Sequence, residues 1–280
     1  MSIKVFALAN DLSAQELPIY QNEKSLDDIS RKLPQGLYST FRTYGEGRLV
    51  IGLKAHFDRL FVPALEKNIN PSISAQELRI KLRELLEAYR PGEARVRICM
   101  DIKENPGQVY IIVEKLRPIE EDVYKNGISV VTSHVERVNP RLKTTSFIQK
   151  SETERKFLLE NNIYEGIIVW NNHLLEGLTS NFYSVKNLKV ITAQKSILLG
   201  VTRRTILKII RAEGIQIEYR ALRIDEIRDI NEAFITSSSR GVVPVVSIDG
   251  NQIGEGIPGP IAKRLRVNYE DYVLLKAEVI

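Results

Sequence analysis

Leu78, Leu82, Leu85, Leu86 and Tyr89 recur at helical spacing, and Ser74-Ala75-Gln76-Glu77 stands directly before them. A serine and a glutamate three positions apart exchange side-chain-to-backbone bonds at a helix start, so this stretch predicts a capped amphipathic helix. Upstream, Val50-Ile51-Gly52-Leu53 reads as the end of a strand and residues 56–66 as a short helix. Downstream, residues 95–99 and 109–113 are β-rich runs, and Glu104-Asn105-Pro106-Gly107 supplies a turn that pairs them. The stretch Arg117-Pro118-Ile119-Glu120-Glu121-Asp122 carries a proline and three acids and reads as an interdomain linker. The expected division is a small N-terminal α/β domain over 1–117, a linker over 118–126 and a larger domain over 127–280.

The second half is richer in strand signals, at 128–132, 167–170, 182–185, 190–192, 215–219, 233–236 and 242–248. Helical patterns fall at about 152–160, 203–213 and 261–269. Many strands with few helices between them predict an α+β architecture rather than a regular βαβ alternation. There is no internal repeat and no low-complexity tract. Gly254-Glu255-Gly256-Ile257-Pro258-Gly259 satisfies the dinucleotide-binding G-x-G-x-x-G pattern literally. It lies too near the C-terminus for a βαβ unit to follow, and Pro258 alters the turn. It predicts a tight turn into a helix with Pro260 at its first position.

Composition narrows the function only slightly. The chain has 280 residues, 43% hydrophobic and 27% charged, which suits a soluble globular protein with a sizeable core. Cys99 is the single cysteine, so no internal disulfide can form. It sits in the apolar run Val96-Arg97-Ile98-Cys99-Met100, which predicts a buried structural thiol rather than a nucleophile. The net charge is +5, but the 40 basic and 35 acidic residues are interspersed, which argues for a solvated surface and against nucleic acid. His56, His134 and His173 lack metal-ligand spacing, so no metal is expected. No charged leader precedes an apolar stretch at Met1-Ser2-Ile3-Lys4-Val5-Phe6, and no run reaches the length of a membrane span. A cytoplasmic protein with no membrane partner is the default expectation.

The segment Glu176-Gly177-Leu178-Thr179-Ser180-Asn181-Phe182-Tyr183 is the most informative. Alone it is a polar turn opening a strand. Val190-Ile191-Thr192 and then Leu198-Leu199-Gly200-Val201-Thr202-Arg203 follow it, the latter opening a helix. The arrangement resembles the signature of the class IV aminotransferases, which are pyridoxal-phosphate enzymes. Leu178 stands where a small residue is usual, and the gap after Thr192 is slightly short. Further segments extend the resemblance over most of the chain. They are His56-Phe57-Asp58-Arg59-Leu60, Pro140-Arg141-Leu142-Lys143-Thr144-Thr145, the turn Thr236-Ser237-Ser238-Ser239-Arg240-Gly241, and Gly256-Ile257-Pro258-Gly259-Pro260.

The resemblance implies a two-domain class IV fold, with residues 127–280 as the cofactor-binding domain, and a homodimer. It implies Lys143 as the catalytic residue that forms a Schiff base with pyridoxal 5'-phosphate. On local sequence alone Lys143 reads as a solvated loop lysine. Glu176 is implied as the carboxylate that keeps the pyridine nitrogen protonated, where locally it is a turn acid. Gly200, Val201 and Thr202, at a helix N-terminus, suit a phosphate. Arg59 adds charge there, and Ser237 and Ser238 add hydroxyls. Arg59 also reads as a surface partner of Asp58 or Glu66, and the three serines as a plain polar turn. Tyr38, Arg42, Arg97, Ser239 and Arg240 fall at or near substrate-side positions, although paired-strand aromatics and arginines often simply pack.

The expected activity is transfer of an amino group between an amino acid, branched-chain-like in the first instance, and a 2-oxo acid. A second reading is a lyase of the aminodeoxychorismate type, which eliminates pyruvate on the same scaffold. D-amino-acid transaminases are a third possibility. A non-catalytic basic binding protein is the reading from a different class, and the intact lysine, glutamate and arginine set argues against it.

Overall fold

The computed structural model describes residues 3–9, 11 and 13–280. The first elements are β1 (Lys4–Leu8), β2 (Ala14–Glu16), α1 (Leu26–Lys32), β3 (Gly36–Tyr44), β4 (Leu49–Val50), α2 (Leu53–Glu66), α3 (Ala75–Glu87), β5 (Ala94–Asp101) and β6 (Val109–Lys115). Then come α4 (Glu121–Asn126), β7 (Ile128–Ser133), α5 (Thr145–Lys150), α6 (Glu152–Glu160), β8 (Glu165–Trp170), β9 (His173–Gly177), β10 (Asn181–Lys186) and β11 (Lys189–Ile191). The last are α7 (Val201–Ala212), β12 (Ile217–Glu218), β13 (Leu222–Arg223), β14 (Glu232–Ser237), β15 (Gly241–Ile248), β16 (Asn251–Gln252), α8 (Pro260–Lys276) and β17 (Glu278–Val279).

These elements form two compact units, each built from separate stretches of chain. One comprises the residues up to Arg117, Leu142–Gln149 and Leu275–Ile280; the other comprises Pro118–Arg141 and Lys150–Leu274. The expected boundary at residue 117 coincides with a unit boundary, but the expected linker at 118–126 does not appear as one. Glu121–Asn126 is the helix α4, counted with the second unit. Its acids Glu121 and Asp122 occupy the first turn, where the helix dipole favours negative charge. Val123 and Tyr124 pack on the second core, so polar composition hid an amphipathic turn.

In the first unit, seven strands lie in the order β17-β4-β3-β5-β6-β1-β2, each pair antiparallel. Side chains alternate between the two faces. Leu37, Phe41, Val96 and Ile98 pack with Leu53, Phe57 and Leu60 of α2 and Leu78, Leu82 and Leu86 of α3. Tyr38, Cys99 and Ile112 form another cluster with Leu26 and Ile29 of α1 and Ile148 of α5. The capping box of α3 is present: Glu77 N–H donates to Ser74 Oγ at 3.3 Å and Ser74 N–H to Glu77 Oε2 at 2.8 Å. The α2 helix starts earlier than expected because Gly52, at φ +65°, turns the chain straight from β4 into it.

The second unit holds a ten-stranded mixed sheet whose main path runs β12-β11-β10-β14-β15-β7-β8-β9-β13. Glu176 on β9 also pairs with Asn181 on β10. That pairing closes β10, β14, β15, β7, β8 and β9 into a ring. Ile128, Val130, Ile167, Phe182, Ile235, Val243 and Val245 contribute to its core. The glycine-rich segment is a turn, with Gly254 and Gly256 at positive φ, and Pro260 is the first residue of α8 as expected. Glu232 receives the N–H groups of Ile261 and Ala262 and so caps that helix. Among the described residues no helix is long and apolar enough to cross a membrane.

Candidate active site

Lys143 lies in irregular chain just before α5 and is partly buried. Its carbonyl accepts from Tyr38 N–H at 2.8 Å, and Thr144 bridges to Leu37. Gly36 N–H donates to Thr145 Oγ1 at 2.9 Å. Three consecutive residues of the lysine segment are thus fixed to the start of β3. Gly36 has to be glycine there, because a Cβ would meet Met100 O at 2.1 Å. Lys143 Nζ lies 5.0 Å from the centroid of the buried Tyr38 ring, and the Arg97 guanidinium lies 4.7 Å from the same ring.

Tyr38, Thr40 and Arg42 share the face of β3 opposite Leu37 and Phe41. Arg97 is only 4% exposed. It donates to Thr40 Oγ1, Ser30 Oγ and Leu26 O, and pairs with Asp27 at 2.8 Å. Burial opposes its charge most strongly, but Asp27, Tyr38 and Cys99 together offset that and keep the guanidinium above its ordinary range. Arg42 pairs with Glu93 and lies over the Tyr44 ring. Arg59 is partly buried on α2, while Asp58 beside it pairs with Lys54 at 2.8 Å. On the same helix His56 Nδ1 lies 2.8 Å from Ser39 Oγ.

Within the second unit, Glu176 is buried on β9, so it is a strand residue rather than a turn acid. Its Oε2 accepts from Leu198 N–H at 3.0 Å and from Asn181 Nδ2 at 3.4 Å. Arg137 Nε lies 2.9 Å from its Oε1, and Arg137 Nη2 donates to Leu178 O. Asn181 Nδ2 also donates to Leu198 O at 2.8 Å, tying the signature strand to the segment before α7.

Gly200 is the N-cap of α7, and Val201 and Thr202 form its first turn. A Cβ at Gly200 would meet Asn181 Oδ1 at 2.3 Å, which explains the glycine. The first N–H groups of a helix have no acceptor within it, so they are available to an anion. Thr202 Oγ1 lies 3.1 Å from Ser238 Oγ, so two hydroxyls expected near a phosphate do meet. Ser237 Oγ instead receives Arg240 Nε at 2.9 Å. Ser239 belongs to the same turn and is partly buried.

Arg240 is anchored within the second unit: its Nη2 pairs with the buried Glu165 at 3.0 Å. Arg42, Arg97 and Arg240, expected at or near substrate-side positions, each have an acidic partner in their own unit. A buried carboxylate, adjacent hydroxyls and helix N-terminal amides are the donor set a phosphorylated pyridine needs, so these residues fit such a cofactor.

The family described as amino-transferase class IV matches residues 36–248. The chain belongs to the class IV aminotransferases. D-alanine aminotransferase of Bacillus licheniformis is 27% identical, over 89% of this chain and 91% of that protein. Branched-chain-amino-acid aminotransferase of Pseudomonas aeruginosa is 26% identical, over 87% of this chain and 85% of that protein. The crystal structure of the pyridoxal-phosphate form of branched-chain amino acid aminotransferase from Thermobaculum terrenum shares the fold. Its TM-score is 0.78 at 19% identity, over 98% of this chain and 94% of that one. Pyridoxal phosphate is the cofactor of the class IV aminotransferases, this chain included.

Two residues of this aminotransferase's polar sites carried no sequence signal. Arg137 lies in irregular chain between β7 and α5. Glu165 opens an apolar strand and meets Thr179, Ser180 and Arg240 only through the fold. Asn181 was visible as part of the signature, but its bonds to Glu176 and Leu198 were not.

Proposed function

We propose that this aminotransferase moves an amino group between an amino acid with an uncharged, branched-chain-like side chain and a 2-oxo acid, with Lys143 as its covalent anchor and base. The observation that carries the reading is the Glu176 carboxylate, buried and fixed between Arg137, Leu198 N–H and Asn181. Bound pyridoxal phosphate supplies an electron sink for the charge left when the substrate Cα loses its proton. Glu176 keeps the pyridine nitrogen protonated and so sustains that sink. Lys143 Nζ would carry the proton between the substrate Cα and the C4′ carbon of the cofactor. Thr202, Ser238 and the amides at Val201 and Thr202 bind the phosphate, with Arg59 adding charge. Tyr38 and Ser239 stay assigned to the substrate side.

The preference for an uncharged side chain follows from the three arginines, whose charges are met by Glu93, Asp27 and Glu165. A second substrate carboxylate would have to displace one of these acids. The aminotransferase acts as a homodimer, the state usual in its family.

A half-reaction without any 2-oxo acid tests the proposal. Purified protein given L- or D-leucine, valine or alanine should lose its visible absorption stoichiometrically and stop, until a 2-oxo acid restores the colour. The enantiomer that bleaches fixes the stereochemistry. Sustained pyruvate release from aminodeoxychorismate, with no bleaching by any amino acid, would establish the lyase instead.

A further inference from the structure

We propose that Glu165 and Arg240 form an internal clasp that positions the hydroxyls of the phosphate cup, making them positioning residues for cofactor binding. The proposal rests on the phosphate reading of Thr202 and Ser238 given above.

Two turns lie at one end of the second unit's sheet. Asn181, at the start of β10, is paired with Thr236 near the end of β14. The turn before Asn181 therefore sits beside the turn after Ser237. The first turn contributes Thr179 and Ser180, and the second contributes Ser238, Ser239 and Arg240. Glu165, at the start of β8, is 2% exposed and joins them. Its Oε2 accepts from Ser180 Oγ at 3.0 Å, from Thr179 Oγ1, and from Arg240 Nη2 at 3.0 Å. Arg240 also donates from Nη2 to Thr179 Oγ1 and from Nε to Ser237 Oγ at 2.9 Å. Its guanidinium lies 5.6 Å from the Tyr164 ring, and its carbonyl accepts from Tyr124 Oη at 2.9 Å. Gly177 leaves room for this packing, since a Cβ there would meet Ser180 Oγ at 2.1 Å.

Each turn leads directly to a proposed cofactor group. Asn181, next after Ser180, touches the Glu176 carboxylate. Ser238, between Ser237 and Arg240, lies within hydrogen-bond reach of Thr202. Tying both turns to one buried carboxylate fixes the second turn relative to the first. A buried ion pair adds little net stability, because desolvating both charges offsets their attraction. What it does supply is geometry: the planar guanidinium fork holds its partners in set directions. Since Glu165 meets its charge, Arg240 acts on the phosphate through Ser237 and Ser238 rather than directly.

Titrating the apoprotein with pyridoxal 5'-phosphate and, separately, with pyridoxal tests the clasp. Binding is read from the absorption of the bound ring. Simple destabilisation would weaken both ligands, whereas a misplaced phosphate cup weakens only the phosphorylated one. Arg240→Met and Glu165→Gln should each lower the ratio of the two affinities about ten-fold, the scale of one charge-assisted hydrogen bond. Arg240→Lys should recover part of that loss. Arg240→Met leaves a buried carboxylate unpaired and can unfold the chain. The double variant Arg240→Met/Glu165→Gln removes both charges and should show the same lowered ratio. Thr202→Ala serves as the check on the phosphate reading. If Thr202→Ala lowers the ratio while the single and double clasp variants leave it unchanged, the clasp is refuted and the phosphate reading survives. If Thr202→Ala leaves it unchanged as well, the phosphate reading fails and takes the clasp with it.

Discussion

Arg137 Nε lies 2.9 Å from Glu176 Oε1 with both side chains shielded from water, so each is the other's counter-charge in the second unit. A buried carboxylate stripped of its partner is far more costly than a matched pair replaced by neutral groups.

That relationship gives a two-part prediction. Glu176→Gln keeps the shape and removes the charge, so turnover should fall by about a hundred-fold or more while cofactor binding largely persists. Arg137→Ala should destabilise the protein by roughly 3–5 kcal/mol in denaturant unfolding, and the pair Arg137→Met/Glu176→Gln by clearly less. Normal turnover in Glu176→Gln would remove that residue from the mechanism.

Lys143 gives the most direct chemical test. Borohydride reduction of the cofactor-loaded protein should bleach its visible band and leave a pyridoxyl group on the peptide that contains Lys143. Lys143→Ala should take up no label and show no turnover. A label found on another lysine would refute the assignment.

Arg59→Ala should weaken the cofactor more than the chemistry. One charge-assisted contact is worth roughly 1.5–3 kcal/mol, or about 10- to 150-fold in affinity. Spectral titration at physiological salt measures this, and an unchanged affinity would place Arg59 outside the phosphate site.

Cys99 is buried against the first unit's sheet, and burial pushes its thiol from 9.0 up to about 11. The folded state therefore favours the protonated thiol. A thiol reagent at pH 8 should react with the native protein far more slowly than with the unfolded chain. The sign for stability follows: the contribution is whole below pH 9 and is lost as pH rises from about 9 towards 11, where the unfolded thiol ionises first. Rapid labelling of the native protein at pH 8 would contradict this burial.

The elements legible in the sequence were those with a local mechanism. Ser74 and Glu77 announced α3 because both halves of a capping box are visible in four residues. Residues 152–160 read as a helix and are α6. Pro260 marked the start of α8 because proline suits a first helical turn. The seven residues of α1 were not legible, being too short to show a period. Nor was α4, whose acids looked like a linker. Of the proposed site, the positions of Glu176, Thr202 and Ser238 were picked out by the segments that carry the family resemblance. The pairings of Arg97 with Asp27 and Arg240 with Glu165 were not, because each joins residues brought together only by the fold.

The first unit cannot be assembled in chain order. The lysine segment reaches it from mid-chain, and its edge strand β17, with the buried Ile280 beyond, comes from the last residues. The second unit needs nothing after Leu274. During synthesis from the N-terminus, the sheet begun first therefore cannot be completed until residues 275–280 have been made. Until then β4 lacks one neighbour, and the first unit's core lacks Ile280. The nascent N-terminal sheet carries an open edge for that interval, a template for pairing with another chain.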